Sequence, residues 1–433
     1  MAIGKEGNVK WVDGLRGVGS SLVVATHVAR GFDEGLFDPA MGENGSIRFL
    51  QLPIFRIFVQ GRMGVAIFSM VTGYVCALKP IKLSREGNQE SALKSMTKSA
   101  LRRPPRLVLP TTISTFLVWL VAQFGAFAVA KHSSGWWVNS SSPKMFDTLQ
   151  QSVGSMLRNM ITTWTRASNS YEVNQWTLLP LLQGSMKIYV FMVATCYMAP
   201  RYRMMAALAM FTFYGFANDP YFNMQFFWGA FLAEFQNHPV AIDFVADRPK
   251  ASRLFAFICL AFGLIFASMP ERHFSWALWS NALKEFLTPI LPKDPNYGRW
   301  STSIGLWLIS LAIHFSPLAR NVLSNKYFLW LGKQSFAVYL IHGTLIRTVL
   351  CWMLFGFAIP ENTTNDEGEV VVTRYPSPSG PKLLICASIW LPLVYGLAVV
   401  WTTFVDPWCA KVTEKMVSFT KQETDEKPLL PTR

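Results

Sequence analysis

Residues 383–405 read LLICASIWLPLVYGLAVVWTTFV, a stretch without a charged side chain. A helix needs about 20 predominantly apolar residues to cross the hydrocarbon of a bilayer. Apolar runs recur along the rest of the chain, in which 51% of the residues are hydrophobic and only 15% are charged. This composition excludes an ordinary water-soluble protein of two or three domains and predicts an all-α, polytopic membrane helix bundle.

The apolar runs together predict about ten transmembrane helices. They lie approximately at residues 14–32, 58–78, 107–130, 176–199, 202–217, 221–236, 253–269, 300–316, 334–358 and 383–405. Residues 202–236 are split at Asn218-Asp219-Pro220, which favours a turn between two spans, with one broken helix as the alternative. We expect a single transmembrane domain over residues 1–410 and a charged, disordered cytosolic tail over residues 411–433.

The loop between the second and third spans predicts the orientation in the membrane. Its basic residues are Lys79, Lys82, Arg85, Lys94, Lys98, Arg102, Arg103 and Arg106. Cytosolic loops carry an excess of Lys and Arg, so this loop is placed in the cytosol, and ten helices then place both termini there. The same rule accounts for the formal net charge of +14, and no binding of nucleic acid is expected.

Three Asn-x-Ser/Thr sequons, which begin at Asn44, Asn139 and Asn362, all fall in loops predicted to face the lumen. They are expected glycosylation sites in a protein of the endoplasmic reticulum or another endomembrane. The alternative is that short sequons are common and often unused.

The six cysteines lie inside or at the edge of apolar runs, and none has CxxC or zinc spacing. They are interpreted as buried thiols. No metal site and no bound cofactor are predicted.

The first predicted helix carries an ordered polar stripe. It begins Trp11-Val12-Asp13-Gly14-Leu15-Arg16-Gly17 and continues to His27. The steps from Arg16 to His27 complete three turns plus roughly 20°, so both side chains share one face, about 16 Å apart. Each charge costs about 2.5–3.5 kcal/mol at mid-bilayer, so the stripe should face the bundle interior or a wet cavity. Taken singly, Arg16 could be a topology anchor and His27 an interhelical hydrogen bonder; their alignment favours a site.

Motifs along nearly the whole chain resemble one family. Ten residues separate Arg16 from His27 after the Asp13-Gly14-Leu15-Arg16-Gly17 segment. The other segments are Phe68-Ser69-Met70-Val71-Thr72-Gly73-Tyr74, Arg102-Arg103-Pro104-Pro105-Arg106 with Pro110, Gln175-Trp176-Thr177-Leu178 with Gly184-Ser185-Met186, and Ser335-Phe336-Ala337-Val338-Tyr339-Leu340-Ile341-His342. Together they resemble the acyltransferase 3 family of membrane O-acyltransferases, in a fungal-type form without an appended lumenal domain.

One position departs from that family pattern. The family usually has Glu five residues after the Trp, where this chain has Leu181, and the Arg expected of fungal members is Gln183. Either the carboxylate is dispensable here, or the activity or substrate has shifted. A non-catalytic family member is a further alternative.

The resemblance implies transfer of an acyl group, often acetyl, from a CoA thioester to a hydroxyl of a small-molecule acceptor. A neutral His27 could take the hydroxyl proton, while Arg16 could stabilise negative charge or hold a phosphate or carbonyl oxygen, oriented by Asp13. Arg102, Arg103 and Arg106 are candidates for the CoA phosphates, or they only set topology and touch anionic lipid.

Four further residues are candidates for the substrate pocket: Tyr74, Trp176, Thr177 and His342. The aromatic ones are as often interface anchors, and a histidine such as His342 on an apolar helix is more often a bundle hydrogen bonder than a base. By analogy with fungal members of this length, the expected acceptor is a hydroxylated specialised metabolite.

The rival hypothesis is a transporter or proton-coupled carrier that uses Asp13, Arg16 and His27 as a proton relay. Transporters of this kind often carry internal repeats, and no repeat is visible in the sequence. The enzyme is therefore the favoured reading.

Overall fold

The computed structural model describes residues 9–364 and 370–419, which are almost entirely helical. The first helices are α1 (Lys10–Phe32), α2 (Gly61–Arg85), α3 (Gln89–Gln123), α4 (Ala128–Lys131), α5 (Trp136–Ser141), α6 (Leu149–Arg166), α7 (Leu178–Ala194), α8 (Pro200–Phe216) and α9 (Asn223–Phe235). The remaining ones are α10 (Pro239–Asp247), α11 (Pro249–Ala267), α12 (Leu278–Leu287), α13 (Tyr297–Phe315), α14 (Pro317–Leu323), α15 (Lys326–Leu345), α16 (Cys351–Phe355) and α17 (Gly380–Ser418).

Short non-α segments join these helices. A π-helical turn, Ile346–Leu350, connects α15 to α16 without a break. Before α17, the strands β1 (Thr363–Thr364) and β2 (Val370–Val371) pair antiparallel, with Thr363 opposite Val371. The all-α class predicted from the composition is confirmed apart from this small hairpin.

The centre of the bundle is the packing of α1 against α15. The two helices run parallel, because Gly17 faces Gly332 and Ser20 donates a hydrogen bond to the carbonyl of Ser335 further along. Glycine allows this close approach: a Cβ at position 332 would lie only 2.0 Å from the carbonyl oxygen of Asp13. Close backbone contact through small residues is the usual way for helices to associate inside a membrane.

The predicted count of about ten transmembrane helices is not confirmed. Within the described residues, six helices are long and apolar enough to cross a membrane, or seven if α13 and α14, bent by 104°, form one span. The predicted spans 202–217 and 221–236 do correspond to α8 and α9, but these helices have only 17 and 13 residues. Both are shorter than the roughly 20 residues that a straight span needs.

Two segments differ from the expected loop and tail. Residues 149–166, which we predicted as part of a loop, form the amphipathic helix α6 beside α3 and α7. The tail predicted from residue 411 onwards begins instead as a continuation of α17, which reaches Ser418. Residues 420–433 lie outside the described part of the chain.

A cluster of charges joins α1 to the segment after α11. Arg30 near the end of α1 donates to Glu271 at 2.7 Å, Arg62 lies 3.5 Å from the same carboxylate, and the Glu271 N–H donates to the carbonyl of Phe37. Burial alone would raise the pKa of Glu271, but the guanidinium groups of Arg62 and Arg30 outweigh it and hold the pKa below its usual range. The ends of α1 and α11 are thus clamped together.

We expect Gly332→Ala to destabilise the protein by at least about 2 kcal/mol, because the new methyl group meets backbone that cannot move aside. The matched control is Gly396→Ala on α17, where a Cβ would have no neighbour within 4 Å. Thermal unfolding of both variants in detergent measures the difference. Equal melting temperatures would contradict the close approach of α1 and α15.

The ion pairs of Glu271 predict a specific pH dependence. Because its pKa is depressed in the fold, the carboxylate stabilises the protein above its ordinary pKa, and this contribution is lost as the pH falls through the folded value. Glu271→Gln should therefore lower Tm at pH 7, and the gap to wild type should close below about pH 4. Glu285→Gln, on an exposed carboxylate, is the control. A gap that is constant with pH would show that the charge is unimportant.

Candidate active site

A cationic cavity of about 470 Å³ opens where α1 begins. Its basic side chains come from three helices: Arg16 from α1, Arg103 and Arg106 from α3, and Lys333 from α15. One carboxylate, Asp406 of α17, also lines it. Guanidinium groups in such an arrangement are well suited to bind phosphate oxygens.

The inner wall of the cavity is formed by Thr177 and Tyr339. Both are buried, and their hydroxyls lie 2.7 Å apart. The Tyr339 hydroxyl also donates to the carbonyl of Asn174. On α15 the ring of Tyr339 lies 6.2 Å from that of His342, so the wall of the cavity is continuous with a second polar region deeper in the bundle.

That second region centres on two histidines. Nδ1 of His27 lies 2.9 Å from Nε2 of His342, and the two rings are stacked with centroids 5.1 Å apart. The ring of Trp137 also stacks on that of His27, with centroids 4.9 Å apart and the planes nearly parallel. His342 is completely buried, whereas His27 is partly accessible. The parallel packing of α1 and α15 brings these residues together although 315 positions separate them.

A buried ion pair lies directly behind His342. Arg347 donates to Glu172 at 2.9 Å, and both side chains are fully inaccessible to solvent. Arg347 also donates to the carbonyls of Gly343, Tyr171 and Ser141. Glu172 in turn accepts from Thr344 and from Asn174, whose amide nitrogen is 3.4 Å from Nε2 of His342. The carboxylate is therefore connected to the histidine pair through one amide.

The structure brings together only some of the residues predicted for the site. Arg16, Arg103, Arg106 and Thr177 line the cavity, and His27 meets His342 below it. Asp13 lies 3.6 Å from Arg16, and its predicted orienting role stays a prediction.

Three predicted residues lie elsewhere. Arg102 does not line the cavity and instead donates to Glu414 of α17, which also holds Arg106 at 3.3 Å. Tyr74 is buried against Trp11, with its hydroxyl on Gln236, and Trp176 is partly exposed beside Phe222. Neither lines the cavity, because Tyr74 packs against Trp11 and Trp176 against Phe222.

The predicted glycosylation sites occupy the segments that follow α1, α4 and α16. Asn44 and Asn362 are exposed, but the amide of Asn139 donates to the carbonyls of Ser133 and Gly135. Gly135 in turn lies against Gly31 at the end of α1, which places Asn139 at that end of the bundle. Which side of the membrane this end faces stays a prediction.

Sequence reasoning missed four polar residues of this region: Glu172, Asn174, Lys333 and Arg347. A signal for Arg347 was available, because a charge inside an apolar span is costly and usually functional. Glu172 lies in a loop and Asn174 in the short 3-10 helix Val173–Thr177, and neither segment has a periodic pattern, so their burial is a product of tertiary structure. Leu181, which stands where the family has Glu, lines the cavity.

Comparison with known proteins identifies the family. The family described as "Acyltransferase domain" matches residues 9–408. The chain belongs to this acyltransferase family. The resemblance predicted from the motifs is thereby confirmed, and the chain is an acyltransferase with several apolar, membrane-type helices.

Two relatives of this acyltransferase are fungal proteins. "O-acetyltransferase PaAT-1" of Phomopsis amygdali is 25% identical over 79% of this chain and 73% of its own length. "Acyltransferase clz18" of Cochliobolus lunatus is 24% identical over 78% of this chain and 82% of its own length. No solved structure matches.

Proposed function

We propose that this acyltransferase transfers an acyl group, acetyl in the first instance, from acyl-CoA to a hydroxyl of a small-molecule acceptor. Acetyl is supported by the name of the relative PaAT-1, an O-acetyltransferase. That the acceptor is a specialised metabolite is inferred from family resemblance alone. In the proposed reaction acyl-CoA is a co-substrate and not a bound cofactor.

One observation carries this proposal: the separation of the cationic cavity from the histidine pair. Arg16 and His27 lie on one face of α1 about 16 Å apart, so they cannot both contact the same reacting carbonyl. A CoA thioester has its phosphates at one end of the long pantetheine arm and its thioester at the other. Arg16, Arg103 and Arg106 would hold the phosphates while the arm extends past Thr177 and Tyr339.

His27 would act as the general base. The acceptor hydroxyl gives its proton to Nε2 of His27 as its oxygen bonds to the thioester carbonyl carbon. When the resulting tetrahedral species collapses, the C–S bond breaks and the imidazolium returns the proton to the CoA thiolate. The products are the ester and CoA with a free thiol. Of the two roles predicted for Arg16, this arrangement supports phosphate binding rather than charge stabilisation at the carbonyl.

His27→Ala should lower kcat by about 10² or more, because a positioned base typically contributes 10² to 10⁴ in rate. The KM for acyl-CoA should change little, since the phosphates bind at the other end of α1. Radiolabelled acetyl-CoA and a host metabolite extract supply the assay, with protein amount and acyl-CoA binding measured in parallel. Wild-type turnover by this variant would remove His27 from the chemistry.

The arginines should differ according to their positions in the structure. Arg103→Gln should raise the KM for acyl-CoA about tenfold or more, because a charge-assisted hydrogen bond contributes about 1.5–3 kcal/mol. Arg16→Lys should also weaken acyl-CoA binding, since it keeps the charge and loses the planar fork. Arg102→Gln is the matched control, because Arg102 faces Glu414 outside the cavity. Equal effects of Arg102→Gln and Arg103→Gln would indicate a role in topology or folding only.

A further inference from the structure

Donor and acceptor can be assigned for each hydrogen bond that leads from Glu172 to His27, beginning at Glu172. Arg347 at 2.9 Å and the Thr344 hydroxyl at 2.7 Å both donate to this carboxylate, so it is ionised and can only accept. The amide of Asn174 also faces it, with the side-chain nitrogen 2.8 Å from Oε1. Because an acceptor selects the NH₂ end of an amide, the orientation of Asn174 follows from the charge on Glu172.

The next residue to which donor and acceptor atoms can be assigned is His342. Its Nδ1 lies 2.8 Å from the carbonyl oxygen of Val338, which can only accept, so Nδ1 carries a proton. Its Nε2 faces the NH₂ group of Asn174 at 3.4 Å, and a nitrogen facing a donor must be an acceptor. His342 is therefore neutral, with its free lone pair on Nε2.

The last link is His27. Since Nε2 of His342 accepts, Nδ1 of His27 at 2.9 Å must be the donor. A neutral His27 then has its lone pair on Nε2, the nitrogen that a general base needs. Within the described residues, the bond to His342 is the one hydrogen bond of the His27 ring, which leaves Nε2 available to the acceptor.

We propose that Glu172, Asn174 and His342 are positioning residues that hold His27 in the tautomer whose Nε2 accepts the acceptor's proton. This proposal rests on the proposed function and adds a second set of residues to it. When His27 gains a proton on Nε2, Nδ1 keeps its bond to His342, so the imidazolium is already oriented to return that proton.

Close packing around the chain of hydrogen bonds supports this assignment. A Cβ at position 343 would lie 2.3 Å from the amide nitrogen of Asn174 and 2.4 Å from Oε1 of Glu172. Only glycine lets these two side chains pass beside α15 to reach His342. The ring of Trp137 also stacks on that of His27, with centroids 4.9 Å apart.

Variants of His342 test whether His27 needs a hydrogen-bond acceptor at the position of Nε2 of His342. The side chain of Gln can place an amide oxygen near that position, whereas Asn is too short and Leu has no acceptor. His342→Gln should keep kcat within about tenfold of wild type, while His342→Asn and His342→Leu should lose about 10² in kcat at an unchanged KM for acyl-CoA. A purely structural histidine would show equal losses in all three, or losses that follow protein amount.

Variants of Asn174 separate polarity from size. Asn174→Asp keeps the shape but offers His342 an acceptor, which would force a proton onto Nε2 of His342 and reverse every bond up to His27. It should therefore be at least as inactive as Asn174→Leu at neutral pH and recover relative to wild type as the pH is lowered and the new carboxyl group is protonated. A structural role predicts that the isosteric Asp is the milder change at all pH values.

These outcomes are distinct from failure of the proposed function. If His27→Ala is inactive while the His342 and Asn174 variants turn over like wild type, the positioning role is wrong and the base assignment stands. If His27→Ala itself is fully active, the proposed mechanism fails regardless of the other variants.

Discussion

The site depends on one constraint, the parallel contact of α1 and α15 through glycine. With no side chain at Gly17 and Gly332, the two backbones approach closely enough to set a single register along both helices. That register places Ser20 against Ser335 and, two turns further, His27 against His342. A shift of one residue would rotate each side chain by about 100° and separate the pair. The glycine contact that packs the two helices therefore also places His27 against His342.

The buried charges of this bundle are better explained by orientation than by stability. Removing one partner of a buried pair such as Glu172–Arg347 costs about 3–5 kcal/mol, yet replacing both with apolar residues is often neutral. They fix which atoms donate and which accept. A carboxylate that only accepts determines the donor and the acceptor of each hydrogen bond that follows it. Arg347 is the charged partner of that carboxylate, and three carbonyls accept from its other guanidinium N–H groups.

In the proposed mechanism, the cationic cavity binds one end of acyl-CoA and the histidine pair acts at the other. The arginines of α1 and α3 give the cavity a positive charge that favours anions. Glu414 of α17 pairs with one of them, Arg106, at 3.3 Å. His342 is fully buried, and His27 beside it is partly accessible. Tyr339 connects the two regions, since it lines the cavity and its ring lies 6.2 Å from that of His342 on the same helix.

The sequence by itself determined the membrane class, the polar stripe on α1 and the family. These follow from composition and from spacing within one helix, and both are local properties. The candidates Arg16 and His27 came from that spacing, and Arg103 and Arg106 came from a basic cluster and the family resemblance. The predicted count of about ten spans is not confirmed, because hydropathy does not distinguish a short helix such as α9 from one that crosses the bilayer.

Only the tertiary structure decided which polar residues meet. His27 and His342 belong to helices far apart in the chain, and Glu172 lies in a loop with no periodic pattern. Their proximity comes from helix register and from the space left by Gly343, which are properties of packing between segments. The separation of Arg102 from the cavity was equally invisible, because Arg102 and Arg103 are neighbours in sequence yet point to different sides of α3.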